Sequence, residues 1–443
     1  MKPYLDILKI VWPLALGMIN NAVMQFVDRA YLARYSMEAL DAVLPAGVLA
    51  WIFMGFFQSV IGYSGVFVAQ HYGAGNMGMC RVFYRSAMGL SVVAGLLMIP
   101  LVPLGDMIIS LSAPNAGIAS LERNYYEIVM LGGFFVCGQM AASSFFTGRG
   151  RTSTVFWVNL GGNLLNIILD PFLIFGWCGL PEMGIAGAAY ATVFSMAMQW
   201  IALVIVAKVD SISAPARSNY LDAALQTIRY GIPAGLYESM NMASFTVFVF
   251  VTGGVGEVEL AASNACFTIN YLLFAPMMGF AIGAQTLVGQ ARGRGDDIEA
   301  YRILRRTLVL ALLFVAVAGS LTLAFRHPVL SLFAPADVSA NAEFVRLGVV
   351  LLMLMSTWML FDAADVIYAG ALKGAGDSRF VMWWMLFCSF VLWLPLVFVV
   401  RAYCNTMPML WSTMVVYVVI ICIGSAIRWH RGGWAKIRLI EKK

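Results

Sequence analysis

The chain has 443 residues, of which 61% are hydrophobic and only 12% charged. Soluble domains carry about a quarter charged residues, so this composition excludes a soluble protein and requires lipid as solvent. The net charge of +5 would suit a nucleic-acid binder, but its distribution along the chain reads as membrane topology instead.

A bilayer-spanning helix needs about 20 apolar residues. Apolar runs predict twelve such helices, at 8–33, 46–70, 84–111, 125–147, 154–176, 184–208, 228–252, 264–290, 304–326, 343–372, 380–401 and 408–429. The first run is interrupted by Asn20, Asn21, Gln25 and Asp28 and does not read as a cleavable signal. Of the 28 Lys and Arg, 22 fall on the side that carries both termini and 6 on the other. Positive loops stay inside, so both termini are expected in the cytoplasm of a multi-pass cell (inner or plasma) membrane protein. The organisation expected is an N-terminal six-helix lobe over 1–208, a cytoplasmic linker over 209–227, a C-terminal six-helix lobe over 228–429 and a basic cytoplasmic tail over 430–443. The seven cysteines are scattered without a C-x-x-C pair and are expected to be small buried hydrophobes.

The two halves repeat. A V-x-Q-x-x-G-x-G motif occurs at Val68, Gln70, Gly73 and Gly75, and again at Val288, Gln290, Gly293 and Gly295, an offset of 220. The same offset maps Pro13 on Pro233, Asn21 on Asn241, Leu40 on Leu260 and Ala42 on Ala262. Six helices per half keep the halves parallel. The expected fold is therefore all-α integral membrane, with twelve transmembrane helices in two six-helix repeats related by a pseudo-twofold along the membrane normal. Interfaces between such repeats house substrate sites.

Polar and ionisable groups inside a bilayer helix are costly and mark function. The first helix carries Asn21, Gln25 and Asp28 on one face, with Pro13 as a hinge that frees a carbonyl and permits a bend. The fifth carries Asn159, Asn163, Asn166 and Asp170, a polar stripe at helical spacing. Two carboxyl groups in one low-dielectric pocket do not readily both ionise, so Asp28 and Asp170 could exchange a proton or hold a sodium ion through oxygen ligands. The seventh helix carries Glu238 and Asn241, and the tenth carries Asp362 and Asp365, with Lys373 two turns further on. Tyr271 and Met277 on the eighth suit an adaptable apolar pocket. Asp28, Asp170, Asn166, Asn163, Glu238, Asp362 and Asp365 are the expected cation-coupling residues, and Gln25, Asn21, Asn159, Asn241, Tyr271 and Met277 the expected substrate-binding ones.

No G-x-x-x-x-G-K-[ST] loop, G-x-S-x-G or H-E-x-x-H is present, and the three histidines are isolated. The chain does not read as an enzyme, no cofactor is expected, and no metal beyond a sodium ion. The work must come from an ion gradient, which supplies roughly 2.3 kcal/mol per charge across 100 mV. Expected partners are small organic cations and membrane lipids, with no nucleic acid and a monomeric state.

Along essentially its whole length the sequence resembles the multidrug and toxic compound extrusion (MATE) family. The resemblance is carried by Pro13 with Phe26-Val27-Asp28, Val68-x-Gln70-x-x-Gly73-x-Gly75, Asn163, Asn166 and Asp170-Pro171, Val288-Gly289-Gln290, and Asp362 with Ala369-Gly370-Ala371-Leu372-Lys373-Gly374. It implies antiport of drugs against cations by alternating access of two lobes. The family's coupling aspartates fall on Asp28, Asp170 and Asp362, and its helix 5 asparagine on Asn166. Its helix 7 glutamate, counted from the proline, falls on Asn241, with Glu238 one turn earlier; Arg29 beside Asp28 is a second departure. A lipid-linked sugar flippase of the same broad superfamily is the alternative. Such a protein needs a basic cavity for pyrophosphate, whereas the intramembrane charges here are mostly acidic.

Overall fold

The structure, a computed structural model, describes residues 2–113, 115–210, 219–333 and 338–440. The expected linker lies partly outside these residues, as does the end of the expected tail. The described chain forms twelve helical rods, several of them broken. They are α1 (Lys2–Tyr35); α2 (Met37–Gly62) with α3 (Ser64–Gly73); α4 (Met77–Met98) with α5 (Val102–Ser112); α6 (Ala116–Leu131) with α7 (Gly133–Gly148); α8 (Thr152–Ile174); and α9 (Ile185–Val209). The second half continues with α10 (Tyr220–Gly253); α11 (Glu257–Arg294); α12 (Asp297–Ala324) followed by the short α13 (Arg326–Ser331); α14 (Val338–Ala375); α15 (Ser378–Leu386) with α16 (Leu394–Tyr403); and α17 (Met407–His430).

Most rods outrun the apolar runs that predict them, because polar turns continue the helix beyond the hydrocarbon layer. Side chains mark the starts: Ser36 caps α2, Asn76 caps α4, Asn115 caps α6 and Asp296 caps α12, each accepting from a main-chain N–H three residues on. Glycines mark the ends. Gly75, Gly295 and Gly376, just past α3, α11 and α14, sit at φ +74°, +75° and +104°, where a β-carbon is strained. This explains the second glycine of each repeated motif.

Ten rods among the described residues are long and apolar enough to span a bilayer on their own, and the α6–α7 pair, bent by 45°, makes an eleventh. The twelfth, α10, is long enough but carries Asp222, Arg229, Glu238 and Asn241 along its length. The α15–α16 rod is interrupted by a π-helical turn over Phe387–Trp393, a feature often found at functional sites. Five cysteines are buried as expected, whereas Cys178 and Cys404 are exposed in connecting segments.

The chain packs as two compact units, of residues 16–239 with 289–295 and 439–443, and of residues 1–15, 240–288 and 296–438. The changeovers fall inside α1 and α10, shortly after Pro13 and Pro233. In the first unit, Phe67 stacks on Phe83 at 4.6 Å beside Tyr84, Phe145 and Phe146. Here α7, α8 and α9 pack closely because Gly132, Gly138 and Gly162 leave room for Val193, Trp200 and Gln199. In the second unit, Trp411 packs against Phe267 and Trp358 at 4.6 and 4.9 Å. There Gly370 and Gly374 of α14 lie directly on the backbone of α11, at Ala281 and Gln285.

Candidate functional site

The polar stripe of α8 organises the first unit. Asn163, Asn166 and Asp170 are 3%, 0% and 0% exposed, so these three point into the protein rather than into lipid, while Asn159 at the start of the stripe is half-buried. Asn163 Nδ2 donates to Asn21 Oδ1 of α1 at 2.7 Å. The Asn166 amide nitrogen faces Asp28 Oδ1 at 3.0 Å, and its oxygen faces the Thr192 N–H of α9 at 3.3 Å. The Asp28 and Asp170 carboxyl groups meet within hydrogen-bonding reach. Both Asp170 oxygens are fully buried, and among the described residues no N–H or O–H donor reaches them.

Two ionised carboxylates cannot bond to one another, and a buried carboxylate without donors is costly. The pair is satisfied when it shares a proton or holds a cation. Tyr125 of α6 lies within electrostatic reach of both acids, and exposed Arg29 acts on Asp28. Among the described residues no group of three or more His, Cys, Asp or Glu is placed to hold a metal ion.

Sequence reasoning missed four residues here. Gln139 of α7 donates to Asn159 Oδ1 at 3.0 Å, and Gln199 of α9 donates to Asn163 Oδ1 at 3.1 Å. Each glutamine stands alone in an apolar run, a signal that was available. Thr192 and Tyr125 carried no such signal. Gln25, on the same helix as Asn21 and Asp28, is exposed.

In the second unit, Asp362 and Asp365 stand on adjacent turns of α14 within electrostatic reach of each other. Asp365, 4% exposed, accepts from Ser425 Oγ of α17 at 2.7 Å, and Lys373 acts on it from the end of α14. Tyr417 of α17 lies within reach of both acids, contacts Ser389 Oγ at 3.0 Å and stacks on Trp393 at 4.6 Å. Ser389 and Trp393 belong to the π-helical turn, so that irregularity borders the acidic cluster. On α10, Glu238 of the first unit is half-buried, and Asn241, on the next turn and in the second unit, is exposed. On α11, Tyr271 is 52% exposed, whereas Met277, at 1%, is packed in the interior.

Beyond the spans, Asp210 at the end of α9 is clamped by Arg149 Nη1 at 2.6 Å and by Arg151. Burial alone would raise its carboxyl, but the two arginines outweigh burial and hold it below the ordinary carboxylate value.

The repeat agrees with the comparison against known families. The MatE family model matches residues 13–172 and again 233–399. This chain belongs to the MatE family. The two matches start at Pro13 and Pro233, so each half of this MatE protein is one copy of the family unit. It is a multi-pass membrane transporter and not an enzyme. Among relatives, it is 25% identical over 383 residues to a probable multidrug resistance protein NorM of Thermotoga maritima, covering 84% of this chain and 81% of the relative. It is 25% identical over 404 residues to multidrug resistance protein PmpM of Pseudomonas aeruginosa, covering 88% and 82%. The solved structure of a multidrug resistance MATE family transporter in an outward-facing conformation superposes with a TM-score of 0.86 at 19% identity, over 98% of this chain and 97% of that one.

Proposed function

We propose that the protein is an antiporter that exports lipophilic organic cations by alternating access, driven by a proton or sodium gradient. It works as a monomer in the cell membrane with both termini in the cytoplasm. The observation that carries this reading is the Asp28–Asp170 pair, in which a fully buried carboxyl without a donor meets a second carboxyl. Such a pair binds a proton or monovalent cation, and occupancy changes how α1 packs against α8. Asn166 and Thr192 orient Asp28 from the other side. The acidic character of the intramembrane groups supports cationic substrates, and the NorM and PmpM relatives, named for multidrug resistance, support several of them. Asp362 and Asp365 form a second acidic site that assists coupling.

The test is efflux of a cationic dye from proteoliposomes under a proton gradient and, separately, a sodium gradient. One of the two gradients is expected to drive efflux, and Asp170→Asn is expected to abolish it. Transport of anionic lipid-pyrophosphates alone would replace this reading by the flippase alternative.

A further inference from the structure

A chain of amides crosses the first unit beside the carboxyl pair. Gln139 Nε2 of α7 donates to Asn159 Oδ1 at 3.0 Å and reaches Gln199 Oε1 of α9 at 3.5 Å. Gln199 Nε2 donates to Asn163 Oδ1 of α8 at 3.1 Å, and Asn163 Nδ2 donates to Asn21 Oδ1 of α1 at 2.7 Å. From Gln139 through Gln199 and Asn163 to Asn21, every donor points the same way. Asn21 stands two turns before Asp28 on the same helix.

Two further observations show that this chain is built rather than incidental. A β-carbon on Gly162 of α8 would fall inside the Gln199 side chain along its length. The glycine therefore opens the passage through which Gln199 reaches Asn163. At the other end Gln139 is half-buried, and among the described residues nothing donates to its Oε1, although its nitrogen is used twice. The chain ends in an open acceptor.

An open amide oxygen is chemically selective. It takes an N–H donor and gains nothing from a quaternary centre. Reversing every amide would preserve each bond and leave an N–H at the Gln139 end instead, so the chain has two senses. A ligand that donates there stabilises the sense described above, as a unit, through to Asn21.

We propose that Gln139 Oε1 receives an N–H donor of the exported cation, and that Gln199 is a positioning residue that fixes Gln139 and ties it to α1. The proposal deepens the cation-export reading and rests on it. It gives an added affinity to cations bearing amine or amidine N–H groups. Cations without a donor bind without help from Gln139.

The test compares binding of two probes to the purified full-length protein. Ethidium carries two aromatic amines; tetraphenylphosphonium carries no donor. Gln139→Leu is expected to weaken ethidium about tenfold, the scale of one hydrogen bond to a charged group, and to leave tetraphenylphosphonium unchanged, which also shows that the variant is folded. Gly162→Ala, which removes no polar group, is expected to weaken ethidium similarly by displacing Gln199, and Gln139→Glu to retain it. The proposal is overturned by equal losses for both probes, by unchanged ethidium binding in Gln139→Leu or Gly162→Ala, or by wild-type protein that does not bind ethidium. The expected binding pattern in a protein that pumps neither probe removes the export reading and leaves the assignment of Gln139 standing.

Discussion

The α-carbon of Gly73 lies against the main-chain carbonyl of Gln290, and Gly293 meets the carbonyl of Gln70 in the same way. These residues are the two copies of one motif, 220 positions apart, and all four belong to the first compact unit. Gln290 adds a hydrogen bond from Nε2 to the Gly148 carbonyl at 2.9 Å. The crossing of α3 with the end of α11 is thus backbone against backbone, with no side chain that could rotate away.

Gly73→Ala and Gly293→Ala are therefore expected to cost about 3 kcal/mol each, the upper range for overpacking a close contact. At Gly75 a β-carbon meets open space, and at both Gly75 and Gly295 it meets the strain of a positive φ, so Gly75→Ala and Gly295→Ala are expected to cost about 1 kcal/mol. Thermal unfolding of the purified variants measures the difference. Equal costs at all four positions would show that the crossing yields.

The carboxyl pair makes a separate prediction. Asp28→Asn and Asp170→Asn should each reduce gradient-driven efflux by at least about a hundredfold, and the double variant should be little worse than either, because the two act as a unit. Removing a buried carboxyl that lacks donors should leave stability unchanged or raise it by about 1–2 kcal/mol. Normal efflux by Asp170→Asn would move the coupling site to the Asp362 cluster.

For the acids outside the Asp28–Asp170 pair the expected order of effects is different. Asp362→Asn and Glu238→Gln should slow efflux less than Asp170→Asn does. Ser425→Ala removes the donor to Asp365 and should destabilise the protein by about 1–3 kcal/mol, measurable as a lowered melting temperature. A Ser425→Ala variant as stable as the parent would show that Asp365 finds another donor.

The Asp210 clamp carries a pH dependence with a definite sign. Its folded-state carboxyl titrates below the ordinary value, so the unfolded chain binds the proton first as pH falls. The stabilisation is complete above the unfolded value of about 4 and is lost as pH drops through the lower folded value. Asp210→Asn should cost about 1 kcal/mol at pH 7, with the gap to the parent closing as pH falls through the lowered folded value. A gap that is constant across this range would mean that the arginines hold the aspartate through shape, not charge.

Topology is tested by labelling. In a background with exposed Cys178 and Cys404 replaced by serine, a Ser213→Cys variant, altered outside the described residues, should react with an impermeant thiol reagent only after the cells are permeabilised. Reaction in intact cells would invert the orientation.

The sequence by itself determined the twelve rods, the two-copy plan and the residues of the two acidic clusters. Each is a one-dimensional signal: a bilayer demands about 20 apolar residues per crossing, it penalises every polar group placed inside, and helical spacing puts Asn159, Asn163, Asn166 and Asp170 on one face. Arg229, Glu238 and Asn241 make α10 more polar than the other rods, yet its apolar run over 228–252 is still legible and the repeat agrees with it. Only the tertiary structure decided which of these groups meet. That Asp170 faces Asp28, that Asn163 reaches Asn21, and that Gln139, Gln199, Thr192 and Tyr125 complete the site depend on how each helix is rotated and how far it slides along its neighbours. Those settings are fixed by contacts between residues far apart in the chain, such as Gly162 under Gln199 and Gly187 under the Leu173 carbonyl. A side chain's periodicity names its face, but the partner on that face is set by close packing between helices, which no single stretch of sequence contains.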